Sequence, residues 1–344
     1  PYPPDKGDKI RSFHLLHHLS RHFDIYLATF VDEPRDWAWV PEVEKFCVDS
    51  LFLELKPRMA RVRSLSGLVT GKVLSLPYYH NTLMHNWIRK KVVEHGISHL
   101  LVFSTAMAQY VMDPALPFER RVIDFVDVDS DKWQQYALHK RWPMNWVYRR
   151  EGELLLDFER KVAKQFDAGL FVSSAEASVF RNLAPESAHK VGFYNNGVNT
   201  AYFAPDDTLT NPYAPGEKAL AFTGAMDYWP NIDAVSWFAR EIFPQLRARE
   251  TRLHFYIVGS NPTNAVAQLA RLPGVIVTGR VEDVRPYLQY ALAAVAPMRI
   301  ARGVQNKVLE AMAMEKPVIV SSRGLEGIDL VDGEHVLLAD SVDD

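Results

Sequence analysis

Residues 292–314, LAAVAPMRIARGVQNKVLEAMAM, are the stretch that decides the fold. Its apolar beginning, residues 292–296, predicts a buried strand that ends at Pro297. A loop follows, and a helical pattern begins near Val304. Strand, loop and helix in this order form the repeating unit of a parallel α/β fold. The helix start directs free N–H groups and a positive dipole end at the loop, which therefore suits an anion.

The loop and the helix also carry charged side chains at a specific spacing. Arg299, Arg302 and Lys307 supply three positive charges. Gly303, Lys307 and Glu310 fall on one face of the predicted helix. A cation and a carboxylate one turn apart fit the phosphate and the sugar hydroxyls of a nucleotide sugar. An exposed Lys/Glu pair on an ordinary α/β helix explains the same residues, and this stretch alone favours neither interpretation.

Apolar strand-like runs alternate with helical patterns along the chain, from residues 24–31 to residues 335–338. Nearly all-apolar strands separated by helices predict parallel sheets covered on both faces. We therefore expect an α/β protein with two Rossmann-like, doubly wound domains facing across a cleft. The predicted parts are an N-terminal acceptor domain without its first strand (1–200), a linker (201–217) and a C-terminal donor domain without its last helix (218–344).

Composition excludes several classes of protein. The formal net charge of -3 gives no electrostatic reason to expect a nucleic acid as partner. The single Cys47 excludes an internal disulfide framework and favours a reducing compartment, so we predict a cytoplasmic location. No apolar run approaches the roughly 20 residues of a membrane span. The basic cluster at residues 58–72 fits either a solvated loop or peripheral contact with an anionic membrane surface.

Two glycine-containing turns follow strands in the C-terminal half. Gly224 follows the apolar run 219–223, where a glycine allows close approach of a ligand to the backbone. The chain contains no GxGxxG sequence, which counts against an NAD(P) enzyme. Residues 279–284 follow the predicted strand 274–278, and their backbone groups suit a nucleobase edge. Helix capping alone also explains Asp283.

Two stretches of the N-terminal half are further candidates. Gly7, Asp8 and Lys9 precede an amphipathic helix predicted over 8–22, whose first turn offers N–H groups to an anion. Four carboxylates cluster at the end of the predicted strand 121–126: Asp124, Asp127, Asp129 and Asp131. Facing one another, they raise one another's pKa, which suits a general base or a ligand for an acceptor hydroxyl. A solvated loop or a hydrated divalent ion site fits them equally, and no His or Cys supports a metal.

Four segments, taken in order, resemble the glycosyltransferase family 4 (group 1) enzymes: FTGAMDYWPNIDAVSWF (222–238), FYIVGSNP (255–262), VTGRVEDVRPYL (277–288) and the run from VAPM to GLEGI (295–328). The resemblance covers nearly the whole chain and is most specific where order and spacing match together, in 219–328. It implies the GT-B fold of two Rossmann-like domains. The opening PYPPDKGDKIRSFHLL, the segment VIDFVDVDSDKW and the segment NNGVNTAYFAP resemble most closely the branch associated with PEP-CTERM/exosortase exopolysaccharide systems.

The resemblance also implies roles for matching residues. Gly7 would lie in a glycine loop beside the donor phosphates and the acceptor, and Gly224 under the donor pyrophosphate. Residues Val281 to Asp283 would hold the base. Lys307 would contact phosphate or sugar, and Glu310 would bind the ribose hydroxyls.

The chain departs from the family pattern at three places. Arg302 occupies the position of the first glutamate of the family's glutamate pair, which puts the identity of the sugar in doubt. The Arg and Lys that often follow the glycine of the second domain are absent from MDYWPN (226–231), and Arg299 with Arg302 would supply that charge. The histidine that many members carry near the acceptor has no clear match, and Asp127 lies at about its place.

These observations predict a retaining, metal-independent glycosyltransferase of the hexosyltransferase type. Its donor would be a nucleoside-diphosphate sugar, its acceptor a glycan or lipid-linked hydroxyl, and it would need no cofactor. Fixed positive groups would stabilise the departing diphosphate without a metal. The candidate catalytic residues are Asp127, Arg302, Lys307 and Glu310. A sugar-nucleotide epimerase of the same architecture and a non-catalytic nucleotide-binding protein are the alternatives.

Overall fold

The computed structural model describes residues 2–3, 7–138, 140–301 and 303–344, without the side chains of Asp8 and Val69. The chain forms two compact units, Pro1–Tyr194 (unit 1) and Asn195–Asp344 (unit 2). Every paired strand described has a parallel neighbour. The predicted α/β class with parallel sheets is therefore confirmed.

The strands of unit 1 are β1 (Tyr26–Val31), β2 (Asp49–Glu54), β3 (His99–Phe103), β4 (Arg120–Val126), β5 (Ala168–Phe171) and β6 (Val191–Phe193). Its helices are α1 (Gly7–Leu19), α2 (Val40–Glu44), α3 (Pro57–Ser64), α4 (Ser66–Thr70), α5 (Ser75–Tyr78), α6 (Thr82–His95), α7 (Asp129–Leu138), α8 (Met144–Gln165) and α9 (Ser174–Leu183).

The strands of unit 2 are β7 (Lys218–Thr223), β8 (Leu253–Val258), β9 (Val275–Gly279), β10 (Ala293–Ala296), β11 (Val318–Val320) and β12 (Leu337–Leu338). Its helices are α10 (Trp229–Trp237), α11 (Phe243–Arg249), α12 (Asn264–Ala267), α13 (Arg285–Gln289) and α14 (Asn306–Ala313).

The sheet of unit 2 has the strand order β9-β8-β7-β10-β11-β12. The chain adds strands outward from β7 in one direction, returns to the other side of β7, and continues outward from β10. This is the doubly wound order of a Rossmann-like domain, and its reversal lies between β7 and β10. In such sheets, ligands bind beyond the carboxyl ends of the strands at the reversal.

The core of unit 2 follows from the side-chain alternation along β7. Leu220 and Phe222 pack into an apolar cluster on one face of the sheet, whereas Ala219 and Ala221 pack into a cluster on the other. A strand buried on both faces needs apolar residues at consecutive positions, which is why the run reads ALAF without alternation. The sheet thus holds the ends of β7 and β10 firmly in place.

Unit 1 contains a four-stranded sheet, β3-β4-β5-β6, and a separate β1-β2 pair. Its core is rich in phenylalanine: Phe125 and Phe171 stack with ring centroids 5.2 Å apart, and Phe180 packs against both. Strand β4 has a register irregularity near its end, where Val126 adopts a φ of 70°. A β-branched residue is strained in this left-handed region, so the backbone that leads to Asp127 is held in an uncommon conformation.

Several predicted boundaries differ from the structure. The helix predicted over 8–22 begins at Gly7, so this glycine is the first helical residue and not a preceding turn. The helix predicted from Val304 begins at Asn306. Residues 201–217, suggested as a linker, lie within unit 2, where Phe203 and Tyr213 pack against its apolar clusters.

Candidate functional site

The candidate site lies where the strand order of unit 2 reverses. β7 ends at Thr223 and leads into Gly224, and β10 ends at Ala296 and leads into the loop before α14. The two strands are adjacent and parallel, with Ala293 opposite Leu220. Both connections therefore leave the sheet at the same edge.

Gly224 is required by its conformation and by its neighbours. Its φ is 152°, and a Cβ atom there would lie 2.8 Å from Nδ2 of Asn231 and 3.6 Å from Cε of Lys307. At the end of the next strand, a Cβ on Gly259 would lie only 1.6 Å from the carbonyl oxygen of Gly224. These two glycines let the backbone turn tightly and bring α10 and α14 close to the end of β7.

Asn231 connects these elements and is only 4% exposed. Its Nδ2 donates a hydrogen bond to the carbonyl oxygen of Ala225 at 2.9 Å, and its Oδ1 accepts one from Nζ of Lys307 at 3.1 Å. Asn231 lies inside α10, whose N-cap position is held by Tyr228. No local pattern indicates the role observed, because it depends on a partner 76 residues away.

Lys307 is half-buried and faces mainly neutral groups. Besides Asn231, its Nζ donates to Oε1 of Gln305 at 3.4 Å and lies 5.0 Å from the centroid of the Phe222 ring. Among the described residues, no carboxylate oxygen lies within 4.0 Å of this Nζ. Burial lowers its pKa to about 8, although the nearby Glu310 opposes the change. A partly desolvated cation without a close counterion is suited to bind an anion.

Glu310 lies one turn further along α14, as predicted. Burial raises the pKa of its carboxyl to about 7, and Lys307 opposes the rise. No donor in the part of the chain described by the structure hydrogen-bonds to its carboxylate. Lys307 and Glu310 thus form a cation and a carboxylate that both retain capacity for a ligand. Gly303, predicted on the same helix face, instead lies before the helix with a φ of 70° because α14 begins later.

Of the two arginines in the loop before α14, the structure describes Arg299. Arg299 pairs with Asp233 of α10 through Nε at 2.9 Å and also through Nη2, and it lies over the Trp237 ring. Asp233 therefore balances its charge and raises its pKa. The pair ties the loop to the helix that carries Asn231, and sequence reasoning missed it. Arg302 lies outside the described residues.

Residues 279–284 begin at Gly279, the last residue of β9, and continue into the loop after this strand. The Asp283 carboxylate accepts a hydrogen bond from the backbone N–H of Arg285 at 2.9 Å, the first residue of α13, and pairs with the Arg285 guanidinium at 2.7 Å. The hydroxyl of Tyr202 also donates to it, at 3.3 Å. Asp283 thus acts at the start of the helix, whereas Val281 packs beside the apolar cluster beneath. Their backbone groups remain candidates for base contact.

In unit 1, Lys9 forms a buried ion pair with Asp36 at 2.5 Å. Gly7 is exposed, and a Cβ there would meet no atom of the described residues within 4 Å. The side chain of Asp8 lies outside the described part of the chain. The predicted anion loop of Gly7, Asp8 and Lys9 is thus the first turn of α1, in which the lysine has a carboxylate partner.

Among the aspartates at the end of β4, Asp124 has partners of its own, whereas Asp127 and Asp129 both pair with Lys132. Asp124 is fully buried and accepts hydrogen bonds from Nε of Arg11 at 2.7 Å and from the Tyr194 hydroxyl at 2.6 Å. Asp127 pairs with Lys132 at 2.5 Å. Burial is the main cause that raises the pKa of Asp129, while repulsion from Asp127 contributes less. In the described ranges, no three His, Cys, Asp or Glu side chains are grouped as a metal ion would require.

Residues 217–344, nearly all of unit 2, match the model of a family described as "Glycosyl transferases group 1". No curated protein sequence matches the chain significantly.

Solved structures resemble the chain over most of its length. One is Anabaena HepE in complex with UDP (TM-score 0.63, 12% identity, 98% of this chain and 83% of that chain). Another is WaaG, a glycosyltransferase involved in lipopolysaccharide biosynthesis (0.61, 14%, 94% and 79%). A third is a UDP-forming α,α-trehalose-phosphate synthase from Burkholderia vietnamiensis (0.58, 10%, 92% and 87%). The likeness concerns the fold, and it confirms the predicted GT-B class with two Rossmann-like domains.

Proposed function

We propose that this protein is a retaining glycosyltransferase that moves a sugar from a nucleoside-diphosphate sugar to a hydroxyl of a glycan or lipid-linked acceptor. The observation that carries the proposal is Lys307, a half-buried cation held by neutral partners at the strand-order reversal of unit 2. The group 1 glycosyltransferase match of residues 217–344 supports it. So does the fold shared with HepE, whose structures contain UDP or UDP-glucose.

In this proposal the donor lies against the ends of β7 and β10. Lys307 and the N–H groups at the start of α14 bind the diphosphate, and Gly224 lets it approach the backbone. Glu310 accepts hydrogen bonds from the ribose hydroxyls, one helical turn away. Backbone groups of Val281 to Asp283 contact the base.

The chemical contribution of Lys307 is to stabilise the leaving group. When the bond between the anomeric carbon and the diphosphate breaks, negative charge increases on the diphosphate oxygens. A preorganised cation at that place lowers the barrier, and removal of one such contact typically costs on the order of 3 kcal/mol. Positive charge from protein groups is the basis for proposing a metal-independent reaction without a cofactor.

We assign the remaining predicted residues separate roles in this proposal. Arg302 and Asp127 stay candidates for contact with the donor sugar and the acceptor, respectively. Arg299 is assigned to positioning, because Asp233 already balances its charge. Gly7 and Asp8 remain candidates for the acceptor side. Lys9 is engaged by Asp36, so its proposed part is to hold α1 in place.

The biological setting proposed is exopolysaccharide or cell-surface polysaccharide biosynthesis, in the branch linked to PEP-CTERM/exosortase systems. The chain would act in the cytoplasm, in peripheral contact with the inner face of the membrane. Among the described residues, no helix has the length and apolar character needed to cross a membrane.

The test is a turnover assay with a panel of nucleoside-diphosphate sugars and a lipid-extract acceptor. We expect release of one nucleoside diphosphate together with a product that keeps the anomeric configuration of the donor. An inverted product would contradict the retaining assignment. Interconversion of the donor without any acceptor would favour an epimerase, and donor binding without turnover a non-catalytic protein. An epimerase would need catalytic carboxylates, and the buried ion pair with Arg11 makes Asp124 a poor candidate for that role.

A further inference from the structure

Unit 1 carries a surface with an unusual composition, formed by the exposed side chains of residues 56–72 and 140–150, which we call the basic–apolar surface. Residues 56–72 contain five Lys or Arg and no Asp or Glu, and residues 140–150 contain four Lys or Arg and no Asp or Glu. The whole chain has a net charge of -3. These two short segments are therefore strongly positive, although the chain as a whole is negative.

The same segments expose large apolar side chains. On α3 and the residue after it, Met59 and Val62 are 69% and 70% exposed, and Leu65 is 56% exposed, whereas Ala60 is buried. In the second segment, Trp142 is 81% exposed and Trp146 is 55% exposed. An ordinary surface helix turns its apolar residues inward, so α3 shows the opposite arrangement over part of its circumference. Clustered exposed apolar groups mark interaction sites.

Hydrogen bonds hold the two segments next to each other. Nη2 of Arg150 donates to the carbonyl oxygen of Gly67 at 2.8 Å and to that of Lys72 at 3.3 Å. The buried carboxylate of Glu151 accepts from the backbone N–H of Leu74 at 2.8 Å. The start of α8 is thereby fixed against residues 67–74, so the two segments are neighbours on unit 1.

A cavity beside this surface repeats its chemistry. It has a volume of about 580 Å³ and lies between residues 63–80 and α8. Leu76, Leu154 and Phe158 contribute apolar walls, Lys72 and Lys161 contribute cations, and Asp157 contributes one carboxylate. Cationic groups around an apolar interior suit a molecule with an anionic head and an apolar body.

We propose that the basic–apolar surface binds the face of a lipid bilayer that contains anionic headgroups. Arg and Lys near a bilayer each contribute about 1 kcal/mol of attraction to anionic lipids, and Trp side chains favour the interface between headgroups and acyl chains. The absence of acidic residues removes the repulsion that an anionic surface would otherwise meet. The inference deepens the membrane contact of the proposed function and rests on that function for its biological purpose.

The experiment is sedimentation of the full chain with vesicles of phosphatidylcholine containing 30% phosphatidylglycerol, and with phosphatidylcholine alone as reference. No sugar nucleotide is present, so the result is independent of turnover. We expect binding to the anionic vesicles that weakens as salt increases, since screening shortens the range of attraction. Arg58→Glu/Arg61→Glu should lower the partition coefficient on the order of thirty-fold or more. The matched control, Arg240→Glu/Arg249→Glu, changes the same charge on exposed positions of unit 2 and should retain binding.

A second pair of variants tests the apolar contribution. Trp142→Ser should weaken binding and reduce the blue shift of tryptophan emission on vesicles, to which Trp146 still contributes, whereas Val93→Ser, at a position 74% exposed on α6, should change neither. Equal loss in both charge variants would overturn the proposal, because binding would then follow net charge alone. Equal sedimentation with both kinds of vesicle would also overturn it. The absence of sedimentation with either kind of vesicle would overturn it as well.

The two proposals fail separately. If vesicle binding is absent but nucleoside diphosphate still binds, only the membrane inference fails. If Arg58→Glu/Arg61→Glu binds nucleoside diphosphate as wild type does, the variant is folded and its loss of vesicle binding is specific.

Discussion

Oδ1 of Asn231 accepts a hydrogen bond from Nζ of Lys307 at 3.1 Å, and the same amide donates through Nδ2 to the carbonyl oxygen of Ala225. The amide thereby fixes the lysine without neutralising it. A carboxylate at this position would form an ion pair and reduce the attraction of the site for a phosphate. The neutral partner is the reason that Lys307 keeps its charge available at the strand-order reversal.

Lys307→Met tests whether Lys307 serves donor turnover and not the stability of the fold. Turnover of the donor should fall on the order of 100-fold, because one contact to the leaving diphosphate is lost. The unfolding temperature should stay equal or rise, since the variant removes a charge that burial disfavours. Turnover and thermal unfolding are measured together, with Lys316→Met just beyond α14 as the control. Unchanged turnover with a lower unfolding temperature would show that Lys307 is structural.

Asn231→Asp tests whether nucleotide binding requires a neutral partner for Lys307. The new carboxylate would stand beside Nζ of Lys307, raise the pKa of the lysine and compete with the ligand phosphate. We expect nucleoside diphosphate affinity to fall about tenfold or more, the range of a charge-assisted hydrogen bond. The affinity is measured as a function of pH, and Asn264→Asp provides the same charge change at an exposed position of unit 2. Equal affinity in wild type and Asn231→Asp would remove Asn231 from the site.

Gly224→Ala tests the close approach at the end of β7. The φ of 152° disfavours alanine, and the added Cβ would press on Nδ2 of Asn231 at 2.8 Å. We expect loss of nucleotide binding and a destabilisation of about 1 kcal/mol or more. Gly197→Ala is the control, since a Cβ there would meet no atom within 4 Å in the part of the chain that the structure describes. Calorimetry and denaturant unfolding give the two readouts, and retained affinity in Gly224→Ala would contradict the assigned approach.

Glu159 gives unit 1 a predictable response to pH. This carboxyl is fully buried on α8, and burial raises its pKa to about 8 from an ordinary value of 4.5, although hydrogen bonds from Ser130 oppose the rise. At a pH between these two pKa values, the folded protein holds a proton on Glu159 that is released when the chain unfolds. The contribution to stability is complete below about pH 4.5 and is lost as the pH rises toward 8.

Glu159→Gln should therefore flatten the dependence of unfolding temperature on pH. Its neutral amide still accepts a hydrogen bond from Ser130 but cannot titrate. Thermal unfolding between pH 5 and pH 8 is the measurement, and wild type should lose more stability than the variant across this interval. Identical slopes would show that Glu159 does not hold the proton in the folded state.

The parts of the fold that are predictable from sequence are those that depend on local patterns. The apolar runs of β7 and β10 and the glycine after β7 identify the strand ends, and the doubly wound order brings them together. The spacing of Lys307 and Glu310 predicts their common helix face, which the structure confirms within α14. Helix boundaries are less predictable, and the late start of α14 moves Gly303 off that face.

Long-range pairing is the part that sequence patterns do not reveal. Arg299 pairs with Asp233, which lies 66 residues away in the sequence, and Arg11 pairs with Asp124, which lies 113 residues away. From the sequence, each of these charged residues could bind a ligand. In the structure, each forms an ion pair that joins two parts of the fold. Buried charges need partners, yet the sequence alone does not show which residues the fold places side by side.

Isothermal titration calorimetry with a panel of nucleoside diphosphates tests most directly whether the strand-order reversal of unit 2 is a nucleotide site. We predict that wild type binds at least one member of the panel, that Lys307→Met weakens this binding on the order of 30-fold or more, and that Lys316→Met leaves it unchanged. Binding of equal strength in wild type and Lys307→Met, with both proteins folded, would contradict the central role of Lys307.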